Sequence, residues 1–172
     1  QYNSFAKHFA ELHASLDKLT NKHYFRKFPN LLKDKKILDL GCGEGKDLKF
    51  LLKKGAKIFG IDSSEKMIEL AKNNLQNSEI KLGYFEKIPF ENSSFDIVAS
   101  KYSLQTSKKI DIIYEEVYRV LKEKGIFIFL VVHPIRQFME KKKNGKDYFK
   151  QEFIQSILFG GKLTVKEPSH TL

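Results

Sequence analysis

The sequence predicts an α/β protein built on a mostly parallel β-sheet with helices on both of its faces. Three observations predict this fold class: short apolar segments alternate with segments of helical period, a glycine-rich turn follows the first apolar segment, and the most apolar segment ends the alternation. Helices between successive strands act as crossover connections, which make neighbouring strands run parallel. At 172 residues, the chain fits one domain with a sizeable core.

Two helical stretches are predicted at the start of the chain. Along the first, apolar side chains recur at steps of three and four after Ser4, which is a suitable N-cap. They are Phe5, Phe9, Leu12, Leu16 and Leu19. A second, shorter stretch holds Tyr24, Phe25 and Phe28 and ends near Pro29.

The alternation of strands and helices follows. Strands are predicted over residues 36–40, 57–61, 80–85, 95–100 and 126–132. Gly55 is expected to end the helix after the first strand, and Ser63 or Ser64 to cap the helix after the second. The continuous apolar run 126–132 predicts a strand buried on both faces. Near the C-terminus, 149–159 is predicted as a helix and 163–165 as a short strand.

The formal net charge of +10 comes mainly from lysine. Among the 31 basic residues only Arg26, Arg119 and Arg136 are arginine, and the lysines are spread through nearly every segment. Nucleic-acid-binding proteins usually cluster arginine and aromatic residues on one face. The pattern therefore favours a solvated lysine-rich surface, and leaves an attraction to anionic ligands open.

Cysteine usage and hydropathy predict a cytoplasmic protein. Cys42 is the single cysteine, so an internal disulfide framework is excluded, and a reducing compartment suits the chain. The sequence has no apolar run of membrane-span length and no secretion-signal layout at its start.

The glycine-rich turn lies in the segment ILDLGCGEGKD, residues 37–47. Its glycines are Gly41, Gly43 and Gly45. A dinucleotide fingerprint would place its third glycine at Lys46, and Asp39 would repel a pyrophosphate but suits a cationic amine. Asp62 follows at the end of the second strand, where a carboxylate can accept hydrogen bonds from ribose hydroxyls. The turn therefore indicates a ribose-bearing cofactor that is not a dinucleotide.

Four segments resemble the successive motifs of the class I S-adenosylmethionine-dependent methyltransferases, in particular the ubiquinone/menaquinone-biosynthesis-like family. They are ILDLGCGEGKD, GIDSSEKMIELA, IPFENSSFDIVASKYSL and VYRVLKEKGIFIF. The similarity runs from about Asp39 to Pro134, and YNSFAKHFAELH also resembles that family's leading helix. The resemblance implies a Rossmann-like three-layer αβα sandwich with a seven-stranded sheet. It also implies that S-adenosyl-L-methionine lies across the C-terminal ends of the strands, with S-adenosyl-L-homocysteine as product and a small molecule as methyl acceptor.

The resemblance implies a single methyltransferase domain over residues 1–172. Residues 1–35 would form an N-terminal helical cap, 36–134 the cofactor-binding core, and 135–172 a substrate-side segment. Family members continue through two further strands that form an antiparallel edge, and these are expected to be incomplete here. The chain begins with Gln1, which favours an abbreviated enzyme or an incomplete gene product.

The resemblance also assigns a cofactor site. Its members would be Asp39, Gly41, Gly43, Gly45, Asp62, Ser63, Met67, Tyr84, Phe85, Glu86, Ser100 and Lys101. The glycines would let the backbone approach the amino-acid moiety, with Asp39 near its ammonium and Asp62 on both ribose hydroxyls. Ser63 and Met67 would border the adenine. The segment 100–102 would face the methyl group.

One departure from the family lies after the third strand. The family commonly has Gly-Asp-Ala-Glu, with the Asp holding the adenine amine, where this chain has Gly83, Tyr84, Phe85 and Glu86. The Tyr84 hydroxyl and the Phe85 backbone N–H are candidate substitutes, and Glu86 lies two positions late. Adenine recognition is therefore the least defined part of the predicted pocket.

Two residues are candidates for catalysis. His133 follows the last apolar strand at the carboxyl end of the sheet, as a general base, a substrate contact or an ordinary loop histidine. Tyr102 lies just past the fourth strand, as an active-site or a core aromatic. Cys42 sits between two glycines where a small residue is needed, and His170 is a weaker candidate than His133. No metal site is predicted.

Other functions remain open at this point. A nicotinamide oxidoreductase is disfavoured by the glycine spacing. Enzymes that methylate base amines carry an Asn/Asp-Pro-Pro-aromatic motif after strand four, and the chain has Ser100-Lys101-Tyr102-Ser103 there. RNA methylation at other atoms, protein methylation and non-catalytic S-adenosylmethionine binding by a truncated chain are the alternatives. The oligomeric state is not predicted.

Overall fold

The computed structural model describes residues 18–76, 78–132, 153–158 and 163–168, the last two segments through their backbone alone. The strands are β1 (Lys36–Leu40), β2 (Lys57–Asp62), β3 (Glu79–Leu82), β4 (Phe95–Lys101), β5 (Leu121–Leu130), β6 (Phe153–Leu158) and β7 (Leu163–Pro168). The helices are α1 (Lys18–Phe25), α2 (Lys46–Lys53), α3 (Glu65–Asn74) and α4 (Ile110–Val120), with a 3₁₀ turn at Leu104–Thr106. None of the described helices is long and apolar enough to cross a membrane.

Five strands form one parallel sheet in the order β3-β2-β1-β4-β5. The order reverses beside β1, since the chain winds outward through β2 and β3 and then returns to β4. In open α/β sheets, ligands bind outside the carboxyl ends of the strands at such a reversal. The predicted parallel α/β fold is confirmed.

The two layers of helices cover opposite faces of the sheet. Successive side chains of a strand point to opposite faces, so Ile37 joins one apolar cluster while Leu38 and Leu40 join the other. The first cluster contains buried residues of α1, α2 and α3, and the second contains Ile113, Val117 and Val120 of α4. This arrangement is the expected three-layer sandwich.

The C-terminal strands differ from the prediction. The helix expected over 149–159 is wrong where the structure describes it, because Phe153–Leu158 is β6, paired antiparallel with β7. The short strand expected at 163–165 is part of β7. Apolar residues in FIQSIL are spaced ambiguously, and pairing with a neighbouring strand decides such short segments. Strands β6 and β7 form a two-stranded sheet of their own, unpaired with the five-stranded sheet among the described residues, so the incomplete antiparallel edge stays a prediction.

The prediction that 126–132 is buried on both faces is also wrong. Within the described part of this segment only Ile128 is buried, whereas Ile126 is 39% and Phe129 46% exposed. Strand β5 pairs with β4 along one side and is the last strand of the five-stranded sheet. A continuous apolar run therefore does not require a central strand.

Predicted helix ends agree with the structure in two places. Ser64 caps α3, where its hydroxyl accepts a hydrogen bond from the Met67 backbone N–H at 3.3 Å. Gly55 follows the end of α2 in the left-handed region, with φ of 86°. Strand β3 ends at Leu82, earlier than predicted. The leading helix expected from Phe5 to Leu19 lies outside the described residues up to position 17, and its last residue, Leu19, belongs to α1.

Arg119 of α4 fixes the loop between β3 and β4. Its guanidinium donates to the carbonyl oxygens of Ile88 at 2.9 Å and Phe90 at 2.8 Å, and to the Asn92 side chain at 2.9 Å. Glu116 accepts from the same guanidinium and from the Ile88 backbone N–H at 2.7 Å. The Arg119 hydrogen bond is the main reason that the pKa of Glu116 is lowered.

Replacing Arg119 with alanine is expected to lower the free energy of unfolding by about 2 kcal/mol, because two loop carbonyls lose a charged donor. Urea unfolding measures this loss. The matched control Arg26→Ala removes an exposed arginine and is expected to change stability by less than about 0.5 kcal/mol. Equal losses for the two variants would mean that the loop contacts contribute nothing.

Candidate functional site

Three strand ends form the candidate site. The glycine turn follows β1, Asp62 is the last residue of β2, and Lys101 is the last residue of β4. Since β1 lies between β2 and β4 in the sheet, the three ends are adjacent. The structure therefore brings the predicted glycines, Asp62 and the segment 100–102 to one edge at the strand reversal.

The three glycines have different physical roles. All have positive φ, at 77° for Gly41, 54° for Gly43 and 83° for Gly45. A Cβ on Gly41 would lie 2.5 Å from the Ser103 Cβ, and one on Gly45 would overlap a methyl group of Leu75. A Cβ on Gly43 would meet nothing within 4 Å. Gly41 and Gly45 are thus required for packing, whereas Gly43 borders open space.

Asp62 joins the turn to the end of β2. One carboxylate oxygen accepts from the Gly43 backbone N–H at 2.9 Å, and the other accepts from the Ser64 backbone N–H at 2.9 Å. Burial raises the pKa of Asp62, and the hydrogen bonds from backbone N–H groups partly oppose that rise. A carboxylate offers about four acceptor positions. The Ser63 backbone N–H also interacts with this carboxylate, so three of about four positions are engaged and capacity remains for a further donor.

Asp39 is a buried acid in a group of carboxylates. Its side chain is only 4% exposed. Burial is the main cause that raises the pKa of Asp39 well above its ordinary value, and the nearby Asp47 and Asp62 raise it further. Lys101 opposes this rise. A cationic group placed beside Asp39 would stabilise the ionised carboxylate.

Lys101 and Ser100 have partners within the protein. The Lys101 ammonium lies 3.0 Å from an Asp47 carboxylate oxygen and donates to the Asn21 side chain at 2.7 Å. The Ser100 hydroxyl is fully buried and hydrogen-bonded to the Leu40 carbonyl at 3.2 Å. Ser103 reaches the same carbonyl at 2.7 Å. These contacts connect the ends of β1 and β4, and Lys101 joins them to α1 and α2.

Tyr102 has an unusual backbone conformation. Its φ is 55°, in the left-handed region that a bulky side chain rarely adopts, and its N–H donates to the Leu130 carbonyl at 2.7 Å. Such strain concentrates at functional sites. The half-buried side chain lies at the predicted edge of the sheet, so the assignment of Tyr102 to the active site stays a prediction.

The residues predicted around the adenine differ in exposure. Tyr84 is 63% exposed, whereas Phe85 packs against the second apolar cluster, with a ring atom 3.3 Å from the position that a Cβ on Gly41 would take. Glu86 accepts a hydrogen bond from the Ser107 hydroxyl at 2.7 Å. Ser63 is exposed and Met67 is buried. The roles of these five residues stay predictions.

Tyr24 is a candidate site residue that the sequence did not reveal. Its hydroxyl is buried and has no hydrogen-bond partner among the described residues. Burial is the main cause that raises the pKa of Tyr24, the charges of Asp39 and Asp47 add to it, and the nearby Ser100 backbone opposes it. Because Tyr24 lies in a row of aromatic residues, its pattern indicates only a core position. An unsatisfied buried hydroxyl beside Asp39 suits a polar ligand.

Two other candidates have different outcomes. Cys42 is buried, and its Sγ would lie 2.9 Å from a Cβ on Gly60. Burial also raises the pKa of its thiol. Both observations suit the small packing residue that the sequence predicts at this position. His133 and His170 lie outside the described residues, so the role of His133 stays a prediction.

Known proteins match this chain over most of its length. A family model described as a methyltransferase domain matches residues 31–167. A demethylmenaquinone methyltransferase of Thermotoga maritima is 36% identical over 58% of this chain and 44% of its own. A ubiquinone biosynthesis O-methyltransferase of Pelagibacter ubique is 30% identical over 59% of this chain and 44% of its own.

A solved structure supports the same relation. An S-adenosylmethionine-dependent methyltransferase of Mesorhizobium loti superposes with a TM-score of 0.62 at 25% identity, covering 72% of this chain and 57% of its own. The chain spans about half the length of the curated relatives it matches. With residues 31–167 matched by the family model, the chain belongs to the methyltransferase domain family.

Proposed function

We propose that this chain binds S-adenosylmethionine at the strand reversal and transfers its methyl group to a small-molecule acceptor. The observation that carries the proposal is the geometry of Asp62. Its two oxygens are fixed at the end of β2 by the Gly43 and Ser64 N–H groups, and the carboxylate retains acceptor capacity beyond its backbone hydrogen bonds. Two adjacent hydroxyls of a ribose match that arrangement.

Residues beside Asp62 fit the remainder of the cofactor. Gly43 borders open space into which a ligand can pass close to the backbone. Asp39 lies among other carboxylates in a buried position that favours an ammonium. The Tyr24 hydroxyl lacks a partner among the described residues and supplies one further hydrogen bond to a polar amino-acid moiety.

Bound S-adenosylmethionine supplies an electrophilic methyl group on its sulfonium. The protein has to hold the acceptor in line with that group and exclude water. Tyr102 has a strained backbone and follows the end of β4, which pairs with β1, and this position supports its assignment to the acceptor side. Tyr102 would contact the acceptor. A general base such as His133 is needed only when the accepting atom must lose a proton.

The names of the relatives support a small-molecule acceptor. One is named for demethylmenaquinone and another for ubiquinone biosynthesis. RNA or protein acceptors are the alternatives. A panel of small phenols, amines and thiols, tested beside unmodified RNA and protein, measures S-adenosylhomocysteine release. Turnover confined to RNA or protein would contradict the small-molecule proposal, while calorimetry without any S-adenosylmethionine binding would contradict the whole proposal.

Gly43→Ala is expected to weaken S-adenosylmethionine binding by about tenfold while costing only about 1 kcal/mol of stability. The stability loss reflects the positive φ alone, because the new methyl group meets no protein atom. The methyl group would instead occupy space assigned to the cofactor. Calorimetry and urea unfolding measure the two effects.

Gly41→Ala is the matched control. Its methyl group overlaps Ser103, so it is expected to cost more stability than Gly43→Ala does. If Gly43→Ala bound the cofactor as tightly as the unmutated chain, the open space beside Gly43 would not belong to the cofactor site.

A further inference from the structure

A groove runs between helices α1 and α2. Its volume is about 790 Å³. Residues that define its walls and floor include Asn21, Lys22, Phe25, Arg26, Phe50 and Lys54. Pockets of roughly 300 to 1,000 Å³ are typical for a small organic ligand. The groove is therefore of a size to hold one such molecule.

Two stacked aromatic rings provide an apolar surface in the groove. The rings of Phe25 and Phe50 are 4.2 Å apart between centroids and inclined by 33°. Phe50 is 40% exposed, although it is a large apolar side chain. The Lys54 ammonium lies 5.7 Å from the centre of the Phe50 ring. An occupant with a flat apolar body would cover this surface.

The charges around the groove are mostly positive. Lys22, Arg26 and Lys54 line it, and none of the three forms an ion pair with another described residue. Lys46 also lines it and pairs with Glu44. Within the described part of the chain, the acid in the lining is Asp47, which is already bound by Lys101. This imbalance favours an anionic occupant.

We propose that the groove between α1 and α2 binds a small anionic compound with a flat apolar body. Its aromatic part packs against the exposed Phe50 of the stacked Phe25–Phe50 pair, and its anionic group lies near Lys22 and Arg26. The concave shape fits an enclosed small molecule better than a flat membrane surface. The proposal does not rest on methyl transfer, because Asp62 and Gly43 do not line the groove; the groove adjoins the cofactor site through Asn21 and Asp47, which hold the Lys101 ammonium.

The probe for the test is 1-anilinonaphthalene-8-sulfonate, which combines a sulfonate with flat aromatic rings. Fluorescence titration of the full chain is expected to show one saturable site. The double variant Lys22→Ala/Arg26→Ala is expected to weaken binding by about tenfold, and added salt is expected to weaken it further. Phe50→Ser is expected to lower the affinity as well, because it removes the exposed ring of the stacked pair.

Two controls separate this groove from general surface charge and from the cofactor site. Lys66→Ala/Lys72→Ala removes two exposed lysines of α3 and is expected to leave the affinity unchanged. Asp62→Asn is also expected to leave it unchanged. Circular dichroism of each variant verifies folding.

Three results would overturn the proposal. The first is the absence of saturable probe binding. The second is an equal probe affinity for the unmutated chain and for Lys22→Ala/Arg26→Ala. The third is displacement of the probe by single-stranded oligouridylate at lower concentrations than by free naphthalene sulfonate. The last result would assign the groove to nucleic acid. If the unmutated chain bound no S-adenosylmethionine, the probe would still be expected to bind in the groove, so the two proposals fail separately.

Discussion

Replacing Asp62 with asparagine is expected to weaken S-adenosylmethionine binding by at least about a hundredfold, because two charge-assisted hydrogen bonds to the ribose are lost. Asparagine can accept through one oxygen only, and its amide nitrogen would face the N–H of Gly43 or Ser64. One of the two contacts that fix the turn is therefore lost too. Calorimetry measures the affinity, and urea unfolding measures the accompanying stability loss of about 1–3 kcal/mol.

Asp96→Asn is the matched control for this substitution. Asp96 also accepts from a backbone N–H, that of Lys36 at 2.9 Å, and it binds the Lys122 ammonium at 3.0 Å. It lies near the start of β4, so its contacts are at the amino ends of the strands, whereas Asp62 lies at the carboxyl end of β2. Its substitution is expected to lower stability and leave cofactor affinity unchanged. Similar affinity losses in both variants would indicate that unfolding, not ribose binding, explains the effect of Asp62→Asn.

The strand-and-turn part of the site was predictable because its determinants are close together in sequence. The three glycines, Asp39 and Asp62 fall within two strands and one turn, and a parallel sheet brings the ends of those strands together. The reason why Gly41 must be glycine was not predictable. Ser103 and Phe85, which crowd it, come from distant segments.

Local pattern failed where pairing or helix packing decided the outcome. The segment FIQSIL has no unambiguous period, and only its partner β7 makes it a strand. The apolar run of β5 belongs to an outer strand of the five-stranded sheet, which periodicity does not reveal. Tyr24 is similar, because its proximity to Asp39 depends on how α1 packs against the sheet.

Asp39→Asn is expected to produce opposite effects on stability and on binding. Burial and neighbouring acids raise the pKa of Asp39 in the folded chain, so the ionised carboxylate is disfavoured there. The unfolded chain loses this proton first as the pH rises. The free energy of unfolding therefore falls as the pH rises from about 4, near the pKa of Asp39 in the unfolded chain, to the raised pKa of the folded chain. Asparagine carries no such charge, so the variant is expected to be more stable at neutral pH, with no difference at low pH.

Cofactor affinity is expected to fall in the same variant by about thirtyfold, equivalent to about 2 kcal/mol, because the ammonium loses its carboxylate partner. In the unmutated chain the ammonium of the bound cofactor lowers the pKa of Asp39. At a pH below the raised pKa of the cofactor-free chain, binding therefore releases a proton from Asp39. The affinity for the cofactor then increases with pH. Asp39→Asn is expected to lack this increase. Calorimetry in buffers of different ionisation enthalpy measures the released proton. A variant that loses stability and affinity together, with an unchanged pH profile, would show that Asp39 acts only in packing.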